Sequence, residues 1–138
     1  MQKESKIHIE LKFAAAHRLL GYEGNCGVLH GHTWKVEVEI SGEPDKSGLI
    51  MDFRRIKRSI KKTFDHTIIL NKADPLVRIL EEAGQEVRVI DGNPTCENLA
   101  YLIAETLMKE LKLSEIKVRV WESDNSYAEV KLSESGRS

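Results

Sequence analysis

Alternation of apolar and polar residues marks two segments near the start of the chain. In residues 6–13 the apolar side chains fall on odd positions: Ile7, Ile9, Leu11 and Phe13. In a second segment, which starts near His30, they fall on even positions: Trp34, Val36, Val38 and Ile40. A period of two is typical of half-buried strands, so we predict two strands, which a hairpin would join through the loop at residues 18–29.

A helical period follows. Asp52 can cap a helix whose apolar positions lie three and four residues apart: Phe53, Ile56, Ile60 and Phe64. Six basic residues surround this stripe: Arg54, Arg55, Lys57, Arg58, Lys61 and Lys62. We interpret them as a solvated helix face, with an anion-attracting rim as the alternative.

The second half of the chain predicts another helix and two more strands. Thr95 can cap a helix with a long apolar stripe: Leu99, Leu102, Ile103, Leu107 and Leu111. Before it, residues 74–82 can form a short helix and residues 86–90 a short extra strand. Residues 116–122 and 126–131 alternate again and predict a closing hairpin.

This order of elements predicts an α+β fold. Hairpin-connected strands before and after the helices imply a four-stranded antiparallel sheet with two helices packed on one face, in the order ββααββ. We predict a single domain over residues 1–138, with a core at about 6–131 and frayed ends. The exposed edge strands leave room for oligomerisation by edge pairing.

Composition and charge narrow the function classes. The chain has 138 residues, with 21 Lys and Arg against 22 Asp and Glu, and a formal charge of −1. This balance argues against an unaided electrostatic grip on nucleic acid or on an acidic membrane. No apolar run approaches the roughly 18–20 residues of a spanning helix, and the N-terminus has no signal-peptide core. We predict a cytoplasmic protein in which Cys26 and Cys96 are reduced thiols, although a single disulfide remains open.

Three histidines share the inner face of the predicted hairpin. His17 has the odd parity of the first apolar row, whereas His30 and His32 have the even parity of the second. All three therefore converge at the loop end of the hairpin, while His8 has the outward parity. Three neutral imidazoles suit Zn²⁺ and leave one coordination position open, which is the catalytic pattern. The alternative is three ordinary hydrogen-bonded core histidines.

Five short motifs, taken in order, resemble those of the 6-pyruvoyl-tetrahydropterin synthase family. They are F-A-A-A-H at 13–17, C-x-x-x-H-G-H at 26–32, D-H at 65–66, P-T-x-E-N at 94–98 and W-E-S at 121–123. The resemblance implies the tunnelling fold (T-fold), a four-stranded antiparallel sheet with two helices. The three-residue gap after Cys26 resembles the 6-carboxytetrahydropterin synthases of queuosine and 7-deazaguanine biosynthesis.

The resemblance also implies roles for particular residues. It makes zinc ligands of three residues, His17, His30 and His32. It makes Cys26 the general base, Asp65 and His66 a proton relay, and Glu122 the pterin anchor, with Thr95 near the pterin. Cys96 is interpreted as a packing residue. One departure is that three residues, rather than two, separate the D-H pair from the following L-N.

The implied reaction is that of a zinc-dependent carbon–carbon lyase. The substrate would be 7,8-dihydroneopterin triphosphate, and the products 6-carboxy-5,6,7,8-tetrahydropterin, acetaldehyde and triphosphate. Two alternatives stay open: elimination of triphosphate alone, giving 6-pyruvoyl-tetrahydropterin, or a non-catalytic zinc module in which Cys26 is a fourth ligand. Members of the family assemble as homohexamers with active sites between subunits. Neither nucleic acid nor membrane is an expected partner.

Overall fold

Six strands form one mixed sheet in this computed structural model, which describes residue 1 and residues 3–134. The strands are β1 Ser5–His17, β2 His30–Gly42, β3 Thr67–Asn71, β4 Val87–Ile90, β5 Glu115–Ser123 and β6 Ser126–Ser133. The α-helices are α1 Phe53–Phe64, α2 Leu76–Glu82 and α3 Cys96–Leu111, and a 3₁₀ turn spans Gly24–Gly27. Across the sheet the strand order is β4-β3-β1-β2-β5-β6.

Four of these strands are the ones that the alternating patterns predict. β1 and β2 pair antiparallel over their whole length, from Ser5 opposite Gly42 to His17 opposite His30. β5 continues the sheet antiparallel to β2, and β6 pairs antiparallel with β5. The predicted α+β class and both hairpins are therefore confirmed.

The predicted short helix and short extra strand are present as α2 and β4, whereas β3 was not predicted. The sheet has six strands rather than four, and it is mixed, because β3 runs parallel to β1 and β4 runs parallel to β3. β3 reads TIILN and is largely buried on both faces, so it lacks the alternation that reveals a half-buried strand. α2 is the third helix; none of its residues is buried, and it adds nothing to the helix layer.

The core lies between the sheet and the two longer helices. α1 and α3 cover the face that carries the apolar rows of β1, β2 and β5, and their own stripes are buried there. Asp52 and Thr95 cap them by accepting hydrogen bonds from the backbone N–H groups of Arg54 and Asn98. Phe53 is an exception to the predicted stripe, since it opens α1 with 46% of its surface exposed.

The chain ends are more regular than predicted. Ser5 already belongs to β1, and β6 continues to Ser133, whereas the predicted core spanned 6–131. The rest of the predicted frayed ends, residue 2 and residues 135–138, lies outside the described residues. In the part of the chain that the structure describes, no helix is long and apolar enough to cross a membrane.

A buried ion pair fixes the chain where it leaves β1. The Arg18 guanidinium donates to both carboxylate oxygens of Asp74, at 2.7 and 2.5 Å, and the Asp74 side chain is fully buried. Asp74 also accepts from the N–H of Leu76 at 2.9 Å. The hydrogen bonds from Arg18 hold the pKa of Asp74 below its ordinary value.

An asparagine secures the same loop from the other side. The Asn93 side chain accepts from the N–H of Leu20 at 2.9 Å and donates to the carbonyl of Leu20 at 3.1 Å. Asn71, at the end of β3, donates to Asn93 at 3.1 Å. The loop after His17 is thus tied to β3 and to the segment that leads into α3.

We expect Asp74→Ala to lower the free energy of unfolding by about 2 kcal/mol, because it leaves a partly buried guanidinium without its partner. This loss of stability is smaller than for a fully buried pair, because 25% of the Arg18 side chain is exposed. Urea unfolding monitored by Trp fluorescence measures it. Asp91→Ala is the control: Asp91 pairs with Lys72 at the surface, and its removal should leave stability unchanged.

Candidate metal and substrate site

The register of β1 and β2 brings three imidazoles together on the helix-facing side of the sheet. His17 lies opposite His30, and His32 lies opposite Ala15, two residues further along β2. One ring nitrogen from each histidine lies within 4.8 Å of the others. His17 is buried, and the other two are partly exposed. This is the convergence that the parity of the sequence predicts.

Backbone carbonyls orient two of the rings. Nδ1 of His17 donates to the carbonyl of Pro94 at 2.7 Å, and Nδ1 of His30 donates to the carbonyl of Val28 at 2.5 Å. A carbonyl only accepts, so each ring carries a proton on Nδ1 and Nε2 is free in the neutral form. Burial lowers the pKa of His17 and outweighs the opposing effect of the Pro94 carbonyl, which favours this neutral form.

Two further ring nitrogens of these histidines lack hydrogen-bond partners among the described residues. Nε2 of His17 and Nε2 of His32 are buried and accept no hydrogen bond within the described part of the chain. The nearest charged atom is Oε2 of Glu122, at 3.3 Å from the first and 3.5 Å from the second. Unprotonated nitrogens beside a carboxylate are unfavourable without a cation between them. The donor set therefore fits a divalent metal, and three imidazoles suit zinc.

A cavity of about 390 Å³ opens beside the histidines. Its wall includes the three imidazoles and seven further residues: Leu19, Asn25, Cys26, Thr95, Cys96, Glu97 and Glu122. Sequence reasoning singled out Cys26, Thr95 and Glu122 for this site but missed Leu19, Asn25 and Glu97. These three residues lie in loops or at the start of a helix. There the sequence has no regular period from which the direction of a side chain could be predicted. A larger depression of about 630 Å³ lies at the far end of the sheet, away from the histidines.

Cys26 occupies the 3₁₀ turn at the mouth of this cavity and is exposed. Its backbone carbonyl accepts from the N–H of Leu19 at 2.8 Å, which closes the loop at its base. The following residue must be glycine, because a Cβ at Gly27 would lie 2.1 Å from the carbonyl oxygen of Tyr22. The turn is thus held in one conformation while the thiol stays open to solvent.

Cys96 lies in the same wall but in a different environment. Burial raises the pKa of its thiol to about 11, and the nearby carboxylates of Glu122 and Glu97 add to this effect. These influences outweigh the helix dipole, which alone would lower the pKa of a thiol in the first turn of α3. Cys96 is therefore a protonated thiol at neutral pH.

Asp65 and His66 lie together, but outside the cavity. Asp65 ends α1 and accepts from the N–H of Ala14 at 2.8 Å, and its second oxygen is 3.2 Å from Nδ1 of His66. His66 has a φ of 60° and an 83% exposed side chain. Together with Gly31 and His32 it borders a separate, open depression. The pair thus sits at a helix end, as adjacent interacting residues require, but neither residue lines the cavity beside the three histidines.

The departure from the D-H-x-x-L-N pattern falls within β3. The strand buries Leu70 in the core and directs Asn71 towards Asn93. The longer spacing is thus absorbed by a regular strand rather than by a loop.

Comparisons with known proteins agree with this architecture. The profile of the 6-pyruvoyl tetrahydropterin synthase family matches residues 6–133. A Pyrococcus abyssi protein provisionally named 6-carboxy-5,6,7,8-tetrahydropterin synthase is 39% identical, over 92% of this chain and 90% of its own. The Haemophilus influenzae protein of that name is 33% identical, over 90% and 96%. A solved structure of a Plasmodium vivax 6-pyruvoyltetrahydropterin synthase variant has a TM-score of 0.75 at 20% identity, over 96% and 99%. The predicted T-fold is confirmed.

Substituting any of the three histidines should abolish stoichiometric zinc binding. We expect His17→Ala, His30→Ala and His32→Ala each to reduce bound zinc from about one equivalent to a small fraction, because two imidazoles hold zinc far more weakly than three. Elemental analysis of dialysed protein measures this. His8→Ala is the control: His8 lies on the outer face beside Glu10 and Glu37, and zinc content should not change. Loss of zinc in the control alone would place the metal on the outer face.

The two cysteines should differ in reactivity. We expect iodoacetamide at pH 7.5 to alkylate Cys26 at least tenfold faster than Cys96, because Cys26 is exposed and Cys96 is a half-buried thiol with a raised pKa. Peptide mass spectrometry on a time course separates the two rates. Equal rates in the folded protein would contradict the placement of Cys96 in the cavity wall, and equal rates in urea are the internal control.

Proposed function

The chain belongs to the 6-pyruvoyl tetrahydropterin synthase family, and we propose that it is a zinc-dependent 6-carboxy-5,6,7,8-tetrahydropterin synthase of queuosine and 7-deazaguanine biosynthesis. The reaction converts 7,8-dihydroneopterin triphosphate and water into 6-carboxytetrahydropterin, acetaldehyde and triphosphate. One observation carries the proposal: three imidazoles converge on a cavity that an exposed cysteine borders. No nicotinamide or flavin is required, because the pterin ring gains the electrons that its side chain loses.

The three histidines would hold zinc at the inner wall of the cavity. Bound there, zinc would act as a Lewis acid that polarises the two side-chain hydroxyls of the substrate and acidifies the adjacent C–H. The carbonyls of Pro94 and Val28 fix two of the rings with Nε2 free, so these ligands are oriented before the metal binds.

Cys26 would be the base that removes a proton from the substrate side chain. Its turn faces the cavity and leaves the thiol accessible, and a thiolate formed there can accept a proton from a carbon or hydroxyl group. The cavity volume of about 390 Å³ lies within the range of pockets for small ligands, roughly 300–1,000 Å³.

Glu122 would anchor the pterin, with Thr95 beside it. A carboxylate there can accept two hydrogen bonds, from the ring N–H and from the exocyclic amino group. In the structure the carboxylate lies against Nε2 of His17 and His32, so pterin binding requires it to turn into the cavity. Its side chain is 41% exposed, which leaves room for that rotation.

The proposed proton relay requires a second copy of the chain. Asp65 and His66 are in contact with each other but do not line their own chain's cavity. We therefore assign them to the cavity of a neighbouring subunit, within a homo-oligomer that the family resemblance makes a hexamer. In that position the carboxylate would orient the imidazole, and the imidazole would transfer protons to and from the substrate.

Anaerobic incubation of zinc-loaded protein with 7,8-dihydroneopterin triphosphate tests the proposal. We expect a carboxypterin, identified by mass, with one equivalent of acetaldehyde. Cys26→Ala should lower kcat by at least about a hundredfold, the usual scale of a general base. Cys96→Ala is the matched control and should retain most activity.

Two other outcomes would replace this proposal. A pyruvoyl product without acetaldehyde would make the chain a 6-pyruvoyl-tetrahydropterin synthase. Bound zinc without turnover would favour the non-catalytic zinc module. In that case, metal-edge X-ray absorption should detect a sulfur ligand, since the module requires Cys26 as its fourth donor.

A further inference from the structure

Among the residues that the structure describes, the wall of this cavity includes no cation that could bind a triphosphate. Its wall consists of the three histidines, two carboxylates and uncharged side chains, with neither Lys nor Arg. The proposed substrate carries a triphosphate with several negative charges. Glu97 and Glu122 would repel it, and a metal among the histidines would be engaged with the hydroxyl groups. A cation that binds the triphosphate would therefore have to lie outside this wall.

One helix concentrates the positive charge of the chain. α1 carries six of the 21 Lys and Arg residues and none of the 22 Asp and Glu residues. We call its six exposed cations the basic face: Arg54, Arg55, Lys57, Arg58, Lys61 and Lys62. The remainder of the chain has 15 basic and 22 acidic residues. The near-neutral net charge therefore combines a basic helix with an acidic remainder.

The basic face is electrostatically unfavourable in the isolated chain. Like charges stand four residues apart at Arg54 and Arg58, at Lys57 and Lys61, and at Arg58 and Lys62, and each such pair destabilises a helix. Among the described residues, carboxylate partners exist only at the two ends. Arg54 pairs with Asp52, and Lys61 lies 3.6 Å from Asp65. An anion bound along this face would relieve the repulsion.

The end of the basic face adjoins the proposed relay. α1 ends at Phe64, and Asp65 and His66 follow directly. Lys61 contacts Asp65, so the last turn of the helix necessarily accompanies this pair wherever it docks. Lys62 and Arg58 are exposed in the same region, one turn apart, and within the described part of the chain neither lies within ion-pair distance of a carboxylate. The first turn of the helix lies about 12 Å away, at 1.5 Å of rise per residue.

We propose that Arg58, Lys61 and Lys62 bind the triphosphate of the substrate in the cavity of a neighbouring subunit. This inference rests on the proposed function and on its assignment of Asp65 and His66 to that cavity. Lysine ammonium and arginine guanidinium groups form charge-assisted hydrogen bonds with phosphate oxygens. One subunit then supplies the metal and the base, whereas its neighbour supplies the relay and the triphosphate subsite.

Lys62→Gln is the most informative variant, because Lys62 has no contact with Asp65 whose loss would disturb the relay. We expect it to raise KM for 7,8-dihydroneopterin triphosphate about tenfold with kcat within twofold. It should weaken binding of inorganic tripolyphosphate to the zinc-loaded oligomer, measured by calorimetry, by a similar factor. Lys57→Gln removes the same charge one turn earlier and should change neither value more than twofold. Equal effects of both variants would indicate a general field of the helix and overturn the local subsite.

Co-expression of two variants tests whether the subsite acts between subunits. Chains carrying Cys26→Ala and chains carrying Lys62→Gln, co-purified with two different tags, form mixed oligomers. If the neighbour supplies the subsite, some cavities combine native Cys26 from one chain with native Lys62 from the other. A kinetic component with wild-type KM should then appear. If Lys62 served its own chain's cavity, no site would contain both, and absence of that component would overturn the proposal.

The binding measurement separates this inference from the proposed function. Tripolyphosphate binding that depends on Lys62 supports the subsite even if the pterin is not turned over, a result that would overturn the proposed reaction alone. Normal turnover with unchanged KM and unchanged tripolyphosphate affinity in Lys62→Gln would overturn the subsite alone. Circular dichroism and oligomer mass confirm that each variant remains assembled.

Discussion

The pairing register of β1 and β2 is the constraint on which the candidate site depends. Their unbroken antiparallel register places His17 opposite His30 and leaves His32 on the same face. A slip by one residue would turn one strand's histidines to the outer face, because side chains alternate with a period of two. Packing opposes such a slip: Trp34 is fully buried against Phe13, and its indole N–H donates to the carbonyl of Ala15.

Loops from distant parts of the chain orient the histidines that the strands bring together. The carbonyl that orients His17 belongs to Pro94, which lies 77 positions away and is held near β1 by the hydrogen bonds of Asn93 to Leu20. The Arg18–Asp74 pair fixes the same loop on its other side. The fold therefore orients its imidazoles with groups that have no catalytic chemistry of their own, and it leaves two buried nitrogens without partners where a cation fits.

The charged residues are concentrated in particular elements, which the net charge of the chain does not reveal. A total of −1 argues against an anionic partner, yet α1 is uniformly basic and the cavity wall is acidic. The separation has a geometric origin: α1 buries Ile56, Ser59, Ile60 and Phe64, whereas all its basic residues face solvent. Asp65 and His66 follow directly from the end of that surface, and they do not line the cavity beside the histidines.

The sequence alone determined the alternating strands and both long helices with their caps, because each has a regular period of apolar residues. It also determined the convergence of His17, His30 and His32, which follows from the parity of two paired strands. It did not reveal β3, which is largely buried on both faces, nor the contacts of Asp74 with Arg18 and of Asn93 with Leu20, whose partners lie more than fifty positions apart. Only the tertiary structure decided that Glu122 faces the histidines and that Asp65 and His66 do not line the same cavity. Proximity across a sheet or between loops depends on how elements pack, and no spacing along the chain encodes it.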